Sequence, residues 1–308
     1  MYQEKKCDKL VTPSVLLAEM KNDVIVRSGT YVVGHYCPVL PSSFETYPPP
    51  TQKMKLIALS FLGFIGLSLA PVNAQITARG SDSTPHVVKA LAEAFEKETG
   101  KSVKIEGGGS GAGAKAAIAG EVQLAFLSRE LNAGEKSGGL VAVEYAIDGV
   151  AIIVNKANPA TDISLADLKA LYSGATETLN DKPVVLFNRN PDSGTREVFQ
   201  EIVLGKETKF SDKAAIKHDG IIVSSVAKIP TALAYTSLAE ADDTVAVLKV
   251  KGIKPTPETL RNKSYPITRT PTLATKGAPT GDVKDFIAFA VGPKGQAIVE
   301  EQKLTKTK

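Results

Sequence analysis

Cysteine, histidine and tryptophan are scarce in this chain of 308 residues, which has two cysteines, three histidines and no tryptophan. Both cysteines, Cys7 and Cys37, precede residue 54, so the segment 75–308 can form no disulfide and has no lipid-acceptor cysteine at its start. The two histidines of that segment, His86 and His218, lie far apart in the sequence. This spacing argues against a histidine-based metal site, and we expect neither a metal nor a cofactor.

An excess of one charge and long hydrophobic runs are also missing. The formal net charge of +4 is small and dispersed, which argues against nucleic-acid binding. The apolar run Leu56–Ala70 is too short to span a membrane, and in "MKLIALSFLGFIGLSLAPVNA" it lies between a basic residue and a small-residue cleavage site. We predict a signal peptide over 54–74, cleaved after Ala74, and a periplasmic protein. Residues 1–53 are interpreted as an upstream extension that is disordered or not translated.

Strand and helix patterns alternate after residue 75. Short apolar runs such as "VQLAFLS" and "AIDGVAIIVN" are typical of buried strands in a parallel sheet. Between such runs lie amphipathic helix patterns, including "HVVKALAEAFEKETG" and "SLADLKALYSG", the latter with Ser164 as its N-cap. Repeated strand–helix–strand units predict an α/β fold with parallel sheets flanked by helices.

A glycine-rich stretch, "EGGGSGAGAKAAIAG" (106–120), joins a predicted strand to a predicted helix. A glycine turn at a helix N-terminus favours anion binding, because backbone N–H groups are left unpaired there. A nucleotide P-loop needs Gly-Lys-Ser/Thr, which residues 113–116 do not supply, whereas Gly109, Gly111 and Ala114 match a dinucleotide pattern. A small oxyanion held by Ser110, or a purely structural turn, are the other interpretations, and this loop alone does not decide between them.

A second stretch, "FNRNPDSGTREVFQ", repeats this chemistry. Arg189 ends a predicted strand, Ser193–Thr195 opens the next helix, and Arg196 follows. The arginine side chain offers a planar fork of donors that suits an oxyanion. Hydroxyl and charged residues also follow two other strands, at 81–83 and 128–129. Ligands of open α/β sheets bind at the carboxyl ends of strands, so four such loops together predict an oxyanion site.

Several segments resemble the phosphate-binding periplasmic subunits of ABC importers, which are type II periplasmic binding proteins. They are "GSDST", "GGGSGAGAKAAIAGEVQLAFLSREL", "AIDGVAIIVNKANP", "LYSG", "RNPDSGTREVF" and "SYPITRTPTLATKG". The resemblance covers nearly all of the chain after residue 75. It implies a two-lobed fold, each lobe a mainly parallel sheet flanked by helices, with the ligand in the cleft between them. One lobe would comprise 75–147 and 265–308, and the other 148–264.

The resemblance also implies the ligand residues. Together, the polar loops and the resemblance predict a phosphate-binding set of Ser81, Asp82, Ser110, Gly111, Ser128, Arg129, Asp148, Arg189, Ser193, Gly194, Thr195 and Arg196. Arg129 departs from the aspartate that many members carry to accept the proton of hydrogen phosphate, and Gln123 stands where an acid is usual. Asp82, Asp148 or Asp192 is the alternative acceptor, with Asp82 preferred.

The function expected from this resemblance is capture of inorganic phosphate by a monomer that delivers it to a membrane permease, without catalysis. Two alternatives stay open: a binding protein for sulfate, molybdate or tungstate, and an oxyanion sensor or adhesin without a transporter. A serine acyl-enzyme is a third, because Ser225 and Lys228 form an S-x-x-K pattern, although no K-T-G accompanies it.

Overall fold

The structure, a computed structural model, describes residues 75–307, so the predictions for 1–53 and 54–74 lie outside the described residues. The strands are β1 (Ile76–Gly80), β2 (Val103–Glu106), β3 (Leu124–Leu127), β4 (Leu140–Glu144), β5 (Asp148–Asn155), β6 (Asp162–Ile163), β7 (Thr178–Leu179), β8 (Lys182–Pro183), β9 (Val185–Asn188), β10 (Ala215–Ile216), β11 (Ala232–Ser237), β12 (Val245–Val247), β13 (Lys249–Val250), β14 (Thr268–Arg269) and β15 (Thr272–Lys276).

The α-helices alternate with these strands. They are α1 (Pro85–Thr99), α2 (Ser110–Ala119), α3 (Ala133–Ser137), α4 (Leu165–Ser173), α5 (Gly194–Phe199), α6 (Asp219–Lys228), α7 (Pro257–Arg261), α8 (Gly281–Val291) and α9 (Pro293–Glu301). A π-helical segment (Gln200–Leu204) continues α5, and a 3-10 turn (Leu238–Glu240) follows β11.

Local sequence signals explain where several helices begin and end. Pro85 occupies the first turn of α1, where its missing N–H costs nothing, and Gly100 ends the helix in the left-handed conformation. Ser164 accepts a hydrogen bond from the backbone N–H of Asp167, which confirms the predicted N-cap of α4.

The strands form two mixed sheets. The first has the order β2-β1-β3-β15-β4, in which β1 pairs parallel with β2 and β3, while β15 pairs antiparallel with β3 and β4. The second has the order β10-β9-β11-β5-β12, in which β9 pairs parallel with β10 and β11, while β5 runs antiparallel to β11, β12 and β14. The α/β class is confirmed, and each sheet combines a parallel part with an antiparallel part.

Each sheet has its own hydrophobic core. Phe95 of α1 and Phe286 of α8 pack edge to face on the first sheet, with ring centroids 5.4 Å apart. In the second, Phe199 and Tyr235 stack with centroids 4.0 Å apart. β5 is buried along its whole length, because helices cover both faces of the second sheet. We call the first sheet with its helices the first half and the second sheet with its helices the second half.

The chain passes from the first half to the second between β4 and β5, and it returns between β14 and β15. The first crossing also bonds to the C-terminal segment, since Ile147 and Thr305 form a bridge. Strand pairing shows which sheet each strand joins but does not define lobes. The predicted lobe boundaries therefore stay a prediction.

Candidate functional site

Polar loops follow the carboxyl ends of β1, β2 and β3 in the first half and of β9 in the second. They span 81–84, 107–109, 128–132 and 189–193. Because β1, β2 and β3 run parallel, their three loops leave the same edge of the sheet. The loop after β9 meets them there.

The hydroxyls of Ser110 and Ser128 lie together in the first half. Their oxygens are 3.2 Å apart, and the backbone N–H of Ser128 donates to Ser110 Oγ over 3.1 Å. Both residues are buried. Ser110 opens α2 directly after Gly109, whose φ of 99° is accessible to glycine at little cost. The glycine-rich stretch is therefore an ordered strand-to-helix turn.

The loop after β1 directs Ser83, rather than Ser81, towards the second half. Ser81 Oγ accepts from the backbone N–H of Ser83 over 3.0 Å, and the Asp82 carboxylate accepts from the N–H of Gly108 over 2.7 Å. The first bond fixes the turn after β1, and the second joins this turn to the glycine-rich loop 107–109. Ser83 Oγ lies 2.7 Å from Thr195 Oγ1 in the second half.

Arg189 directly follows β9, and its side chain is fully buried. Its Nη2 donates to Ser83 Oγ over 2.8 Å, and its Nη1 donates to Thr236 Oγ1 over 3.3 Å. A carboxylate oxygen of Glu240 lies 3.9 Å from Nη1. Desolvation lowers the pKa of Arg189 to about 10, and the charge of Glu240 opposes this only in part. Burial therefore outweighs the negative charge around this guanidinium.

The two halves are in close contact at these loops. The backbone N–H of Gly111 donates to the carbonyl of Asp192 over 3.1 Å. A Cβ placed on Gly194 would lie 2.3 Å from Ser110 Oγ and 2.6 Å from Ser128 Oγ, so only glycine fits there. The predicted loops of the two halves thus converge on one place.

A buried ion pair lies where the chain crosses between the halves. Nε and Nη2 of Arg269 donate to one carboxylate oxygen of Asp148 over 2.9 and 2.6 Å, and Ser237 Oγ donates to the same oxygen over 2.7 Å. The remaining Nη1 of Arg269 donates to Thr195 Oγ1 over 2.6 Å. Asp148 is thus bound to Arg269 rather than to a loop of the predicted set.

Two other arginines of the predicted set, Arg129 and Arg196, donate hydrogen bonds to groups of the protein itself. The Nη atoms of Arg129 donate to the two oxygens of Glu135, each over 2.8 Å, and Nε faces Glu197. Burial by itself lowers the pKa of Arg129, but the hydrogen bonds and charges of the two glutamates outweigh it and raise the pKa. Arg196 donates from Nη1 to the carbonyl of Arg189 over 3.1 Å.

The structure brings part of the predicted set together. At the contact between the halves lie Ser110, Gly111, Ser128, Arg189, Gly194 and Thr195, whereas the Ser193 hydroxyl accepts from the backbone N–H of Arg196 over 3.4 Å. Ser81 and Asp82 hold backbone turns, and the side chains of Arg129, Asp148 and Arg196 are bound elsewhere. The predicted ligand set did not include Ser83, which lies in the quoted "GSDST", or Arg269, which lies in the quoted "SYPITRTPTLATKG". Their place in segments that resemble the family was the sequence signal that could have identified them.

Other kinds of site find less support in the described residues. Ser225 and Lys228 lie in α6, where the Ser225 hydroxyl donates to the carbonyl of Ile221 over 2.7 Å. Between residues 75 and 307, no cluster of three or more histidine, cysteine or acidic side chains is placed to hold a metal. None of the helices in that range has the length and apolar character needed to cross a bilayer.

Comparison with known proteins places this arrangement in a family. A profile described as a PBP (periplasmic binding protein) superfamily domain matches residues 68–294. The chain belongs to this superfamily. Among its PBP relatives, the phosphate-binding protein PstS of Bacillus subtilis (strain 168) is 30% identical over 232 residues, which cover 70% of this chain and 74% of that protein. The PstS of Staphylococcus epidermidis (strain RP62A) is 31% identical over 245 residues, covering 71% and 74% of the two chains.

Solved structures resemble this PBP chain as well. One is a Clostridium perfringens protein described as a phosphate ABC transporter substrate-binding protein, with phosphate bound. It is 37% identical, has a TM-score of 0.73, and is matched over its whole length by 76% of this chain. An ABC-type phosphate transport receptor from Vibrio cholerae is 25% identical with a TM-score of 0.66, covering 75% and 99% of the two chains. The resemblance to phosphate-binding subunits is confirmed.

Proposed function

We propose that this protein captures inorganic phosphate between its two halves and delivers it to the membrane permease of an ABC importer. The names of its relatives, and the phosphate bound to the Clostridium perfringens structure, support this assignment. The contact between the halves supplies the chemistry, because it gathers hydroxyls, backbone N–H groups and one guanidinium. A few charge-assisted hydrogen bonds, each contributing about 1.5–3 kcal/mol, suffice for a micromolar dissociation constant, about 8 kcal/mol.

The proposed ligand residues are those that meet at this contact. Ser83 and Ser110 supply hydroxyls from the first half, and Arg189 with Ser193–Thr195 supplies donors from the second. Ser83 replaces Ser81 in this set, because Ser83 Oγ contacts Thr195 and Arg189 of the second half, whereas Ser81 Oγ accepts from its own turn. Arg129, Asp148 and Arg196 are assigned structural roles.

Arg189 is the observation that carries the proposal. Its guanidinium is fully buried, and desolvation lowers its pKa to about 10 despite the nearby carboxylate of Glu240. A guanidinium offers a planar fork of donors that suits an oxyanion, and that of Arg189 lies at the contact between the halves. A bound oxyanion would add negative charge on the side of the contact, where Arg189 already donates to Ser83.

We also propose how the two halves move and where the protein acts. The halves act as lobes that close on the ligand, with boundaries near 147 and 265–270, and binding shifts the balance between open and closed forms. The protein is exported by the signal at 54–74, acts as a periplasmic monomer and catalyses no reaction. The names of the relatives, which are binding proteins, support the absence of catalysis.

Calorimetric titration of the purified protein tests the proposed ligand. We expect phosphate to bind with a micromolar or tighter dissociation constant, and sulfate, molybdate and tungstate to bind more weakly. If none of the four anions produced heat of binding, the proposal would be contradicted. Tighter binding of one of the other three would assign the protein to that oxyanion instead.

Gly194→Ala tests whether the ligand lies between the halves. The added Cβ would lie 2.3 Å from Ser110 Oγ and keep the lobes from closing, so we expect phosphate affinity to fall at least about a hundredfold. Gly134→Ala is the matched control, because its Cβ would lie an ordinary 3.4 Å from Asn132 Oδ1. Equal affinities in the two variants would argue against a site at this contact.

A further inference from the structure

Side chains hold the backbone of Arg189, the arginine that carries the proposed ligand site. Its backbone N–H donates to Asn188 Oδ1 over 2.8 Å, and the hydroxyl of Tyr235 donates to the same oxygen. The carbonyl of Arg189 accepts from Arg196 Nη1 over 3.1 Å. The N–H and the C=O of this residue are therefore each bound to a side chain of the second half.

The pairing of β9 with β11 explains why Tyr235 reaches Asn188. The two strands run parallel, and Leu233 lies opposite Leu186. Two residues further along each strand the side chains return to the same face of the sheet, which brings Tyr235 beside Asn188. Both residues are buried. Asn188, the last residue of β9 before the ligand loop, is thus bonded to the neighbouring strand through its side chain.

Aromatic packing keeps the Tyr235 ring in place. The ring stacks on Phe199 with centroids 4.0 Å apart, and Tyr172 packs against it edge to face with a centroid distance of 5.4 Å. Phe199 is the last residue of α5, whose first turn contains the ligand residues Gly194 and Thr195. The ring of Tyr235 therefore joins β11 to the helix that begins at the ligand loop.

The Tyr235 hydroxyl acts as a donor to Asn188. Burial raises the pKa of this hydroxyl, although the charge and the backbone N–H of Arg189 act in the opposite direction, so the hydroxyl keeps its hydrogen at neutral pH. An amide oxygen accepts through two lone pairs, and Asn188 Oδ1 accepts one hydrogen bond from Tyr235 and one from Arg189. Rotation of the Asn188 amide would break both bonds, so the Tyr235 hydroxyl keeps the acceptor aimed at the N–H of Arg189.

The direction of this N–H bears on the guanidinium because both belong to one residue. A rotation about the N–Cα bond of Arg189 changes the direction of its Cα–Cβ bond, and the long side chain enlarges the displacement at its end. Hydrogen bonds weaken steeply when they are misaligned. A small rotation of the Arg189 backbone would therefore weaken the bonds that its guanidinium makes at the contact between the halves, where Nη2 donates to Ser83.

We propose that Tyr235, acting through Asn188, is a positioning residue that fixes the backbone of Arg189 and so aims its guanidinium at the bound anion. Tyr235 does not touch the anion itself. This inference rests on the proposed function, because it takes Arg189 as a ligand residue. It assigns a role in binding to a tyrosine that lies within the hydrophobic core of the second half.

The test compares two tyrosines of one aromatic cluster. Tyr235→Phe removes the hydroxyl and keeps the stacked ring, and we expect phosphate to bind about tenfold more weakly in calorimetric titration, the effect of roughly one hydrogen bond. Tyr172→Phe is the matched control, because Tyr172 is equally buried and its hydroxyl donates to the carbonyl of Phe187 over 2.9 Å. The control should bind phosphate as the wild type does, and the melting temperatures of the two variants should fall by similar amounts.

Two further measurements test the path through Asn188. In an Asn188→Ala background the bond to Tyr235 is already absent, so Tyr235→Phe should cause no further loss of phosphate affinity. In NMR spectra recorded without phosphate, the backbone amide resonance of Arg189 should shift more in Tyr235→Phe than in Tyr172→Phe, because this resonance responds to the hydrogen bond that the N–H donates. The NMR comparison needs only the two tyrosine variants, so it applies even where Asn188→Ala does not fold.

The outcomes separate this inference from the proposed function. If the wild type binds phosphate and the two tyrosine variants bind it equally well, the positioning role is overturned while phosphate capture stands. A further tenfold loss in the Asn188→Ala background, or equal shifts of the Arg189 resonance in the two variants, also overturns it. If the wild type does not bind phosphate, the proposed function falls and this inference falls with it.

Discussion

Two buried arginines, Arg189 and Arg129, lie in the loops that meet between the halves, and their surroundings differ. Arg129 has bidentate hydrogen bonds to Glu135 and faces Glu197, which raises its pKa against the effect of burial. Arg189 donates to the hydroxyls of Ser83 and Thr236, a carboxylate oxygen of Glu240 lies 3.9 Å from its Nη1, and burial lowers its pKa. Both arginines are buried, but the pKa of Arg129 is raised and that of Arg189 is lowered.

Burial of an arginine therefore does not by itself mark an anion site. An arginine with two carboxylates in contact is neutralised by the protein and serves its structure. An arginine whose pKa is lowered by burial favours an added anion, because a nearby negative charge raises that pKa again. Arg269, paired with Asp148 over 2.6 Å, belongs with Arg129 in this respect.

The largest expected effect tests the Arg189 side of the comparison. Arg189→Met should weaken phosphate binding about a thousandfold, roughly 4 kcal/mol, because it removes the charged donor. The melting temperature without phosphate should fall less than in Arg129→Met, because burial lowers the pKa of Arg189 whereas two glutamates raise that of Arg129. Calorimetry and thermal melts check both. A large loss of stability with little loss of affinity would break the comparison.

Arg129→Met tests the opposite side. It leaves Glu135 and Glu197 without their cation, in a place where the Arg129 and Glu135 side chains are 6% and 9% exposed. We expect a loss of about 3 kcal/mol in the free energy of unfolding. Phosphate affinity should fall less than about tenfold. Urea unfolding measures the first quantity, and adding Glu135→Gln should recover part of it. A thousandfold loss of affinity would restore Arg129 to the ligand set.

Glu240→Gln sharpens the comparison by making the surroundings of Arg189 less negative. We expect phosphate to bind about fivefold more tightly, about 1 kcal/mol, because the substitution removes a negative charge close to the Arg189 donors. Asp243→Asn is the control, because that exposed carboxylate is screened by solvent. Weaker binding in the Glu240 variant would mean that Glu240 orients Arg189 more than it neutralises it.

The sequence predicted the fold class and many helix ends because those depend on neighbouring residues. Ser164 caps α4 through a bond to Asp167, three residues away. The mixed sheets were not predicted, because β15 pairs with β3 across more than a hundred residues of chain. No local pattern distinguishes a strand that will pair antiparallel at such a distance.

The candidate site was predicted to the level of its loops and not of every side chain. Arg189 and Ser110 follow strands in recognisable patterns. Ser81 and Ser83 are two residues apart in one turn, and the turn's own hydrogen bond decides which hydroxyl faces the second half. Arg269 was missed because its partner, Asp148, lies 121 residues earlier in the chain.

The smallest expected effect concerns pH and again involves Glu240. Burial raises the pKa of its carboxyl group from the ordinary 4.5, although the charge of Arg189 acts in the opposite direction. The folded protein therefore holds this proton at pH values where the unfolded chain has lost it. The contribution to stability is fully present below pH 4.5 and is lost as the pH rises through the raised pKa. Urea unfolding of the wild type and Glu240→Gln between about pH 4 and 8 should show the variant gaining stability relative to the wild type as the pH rises. Parallel curves would mean that Arg189 already compensates Glu240 fully, and the contrast between the two arginines would then lose its electrostatic basis.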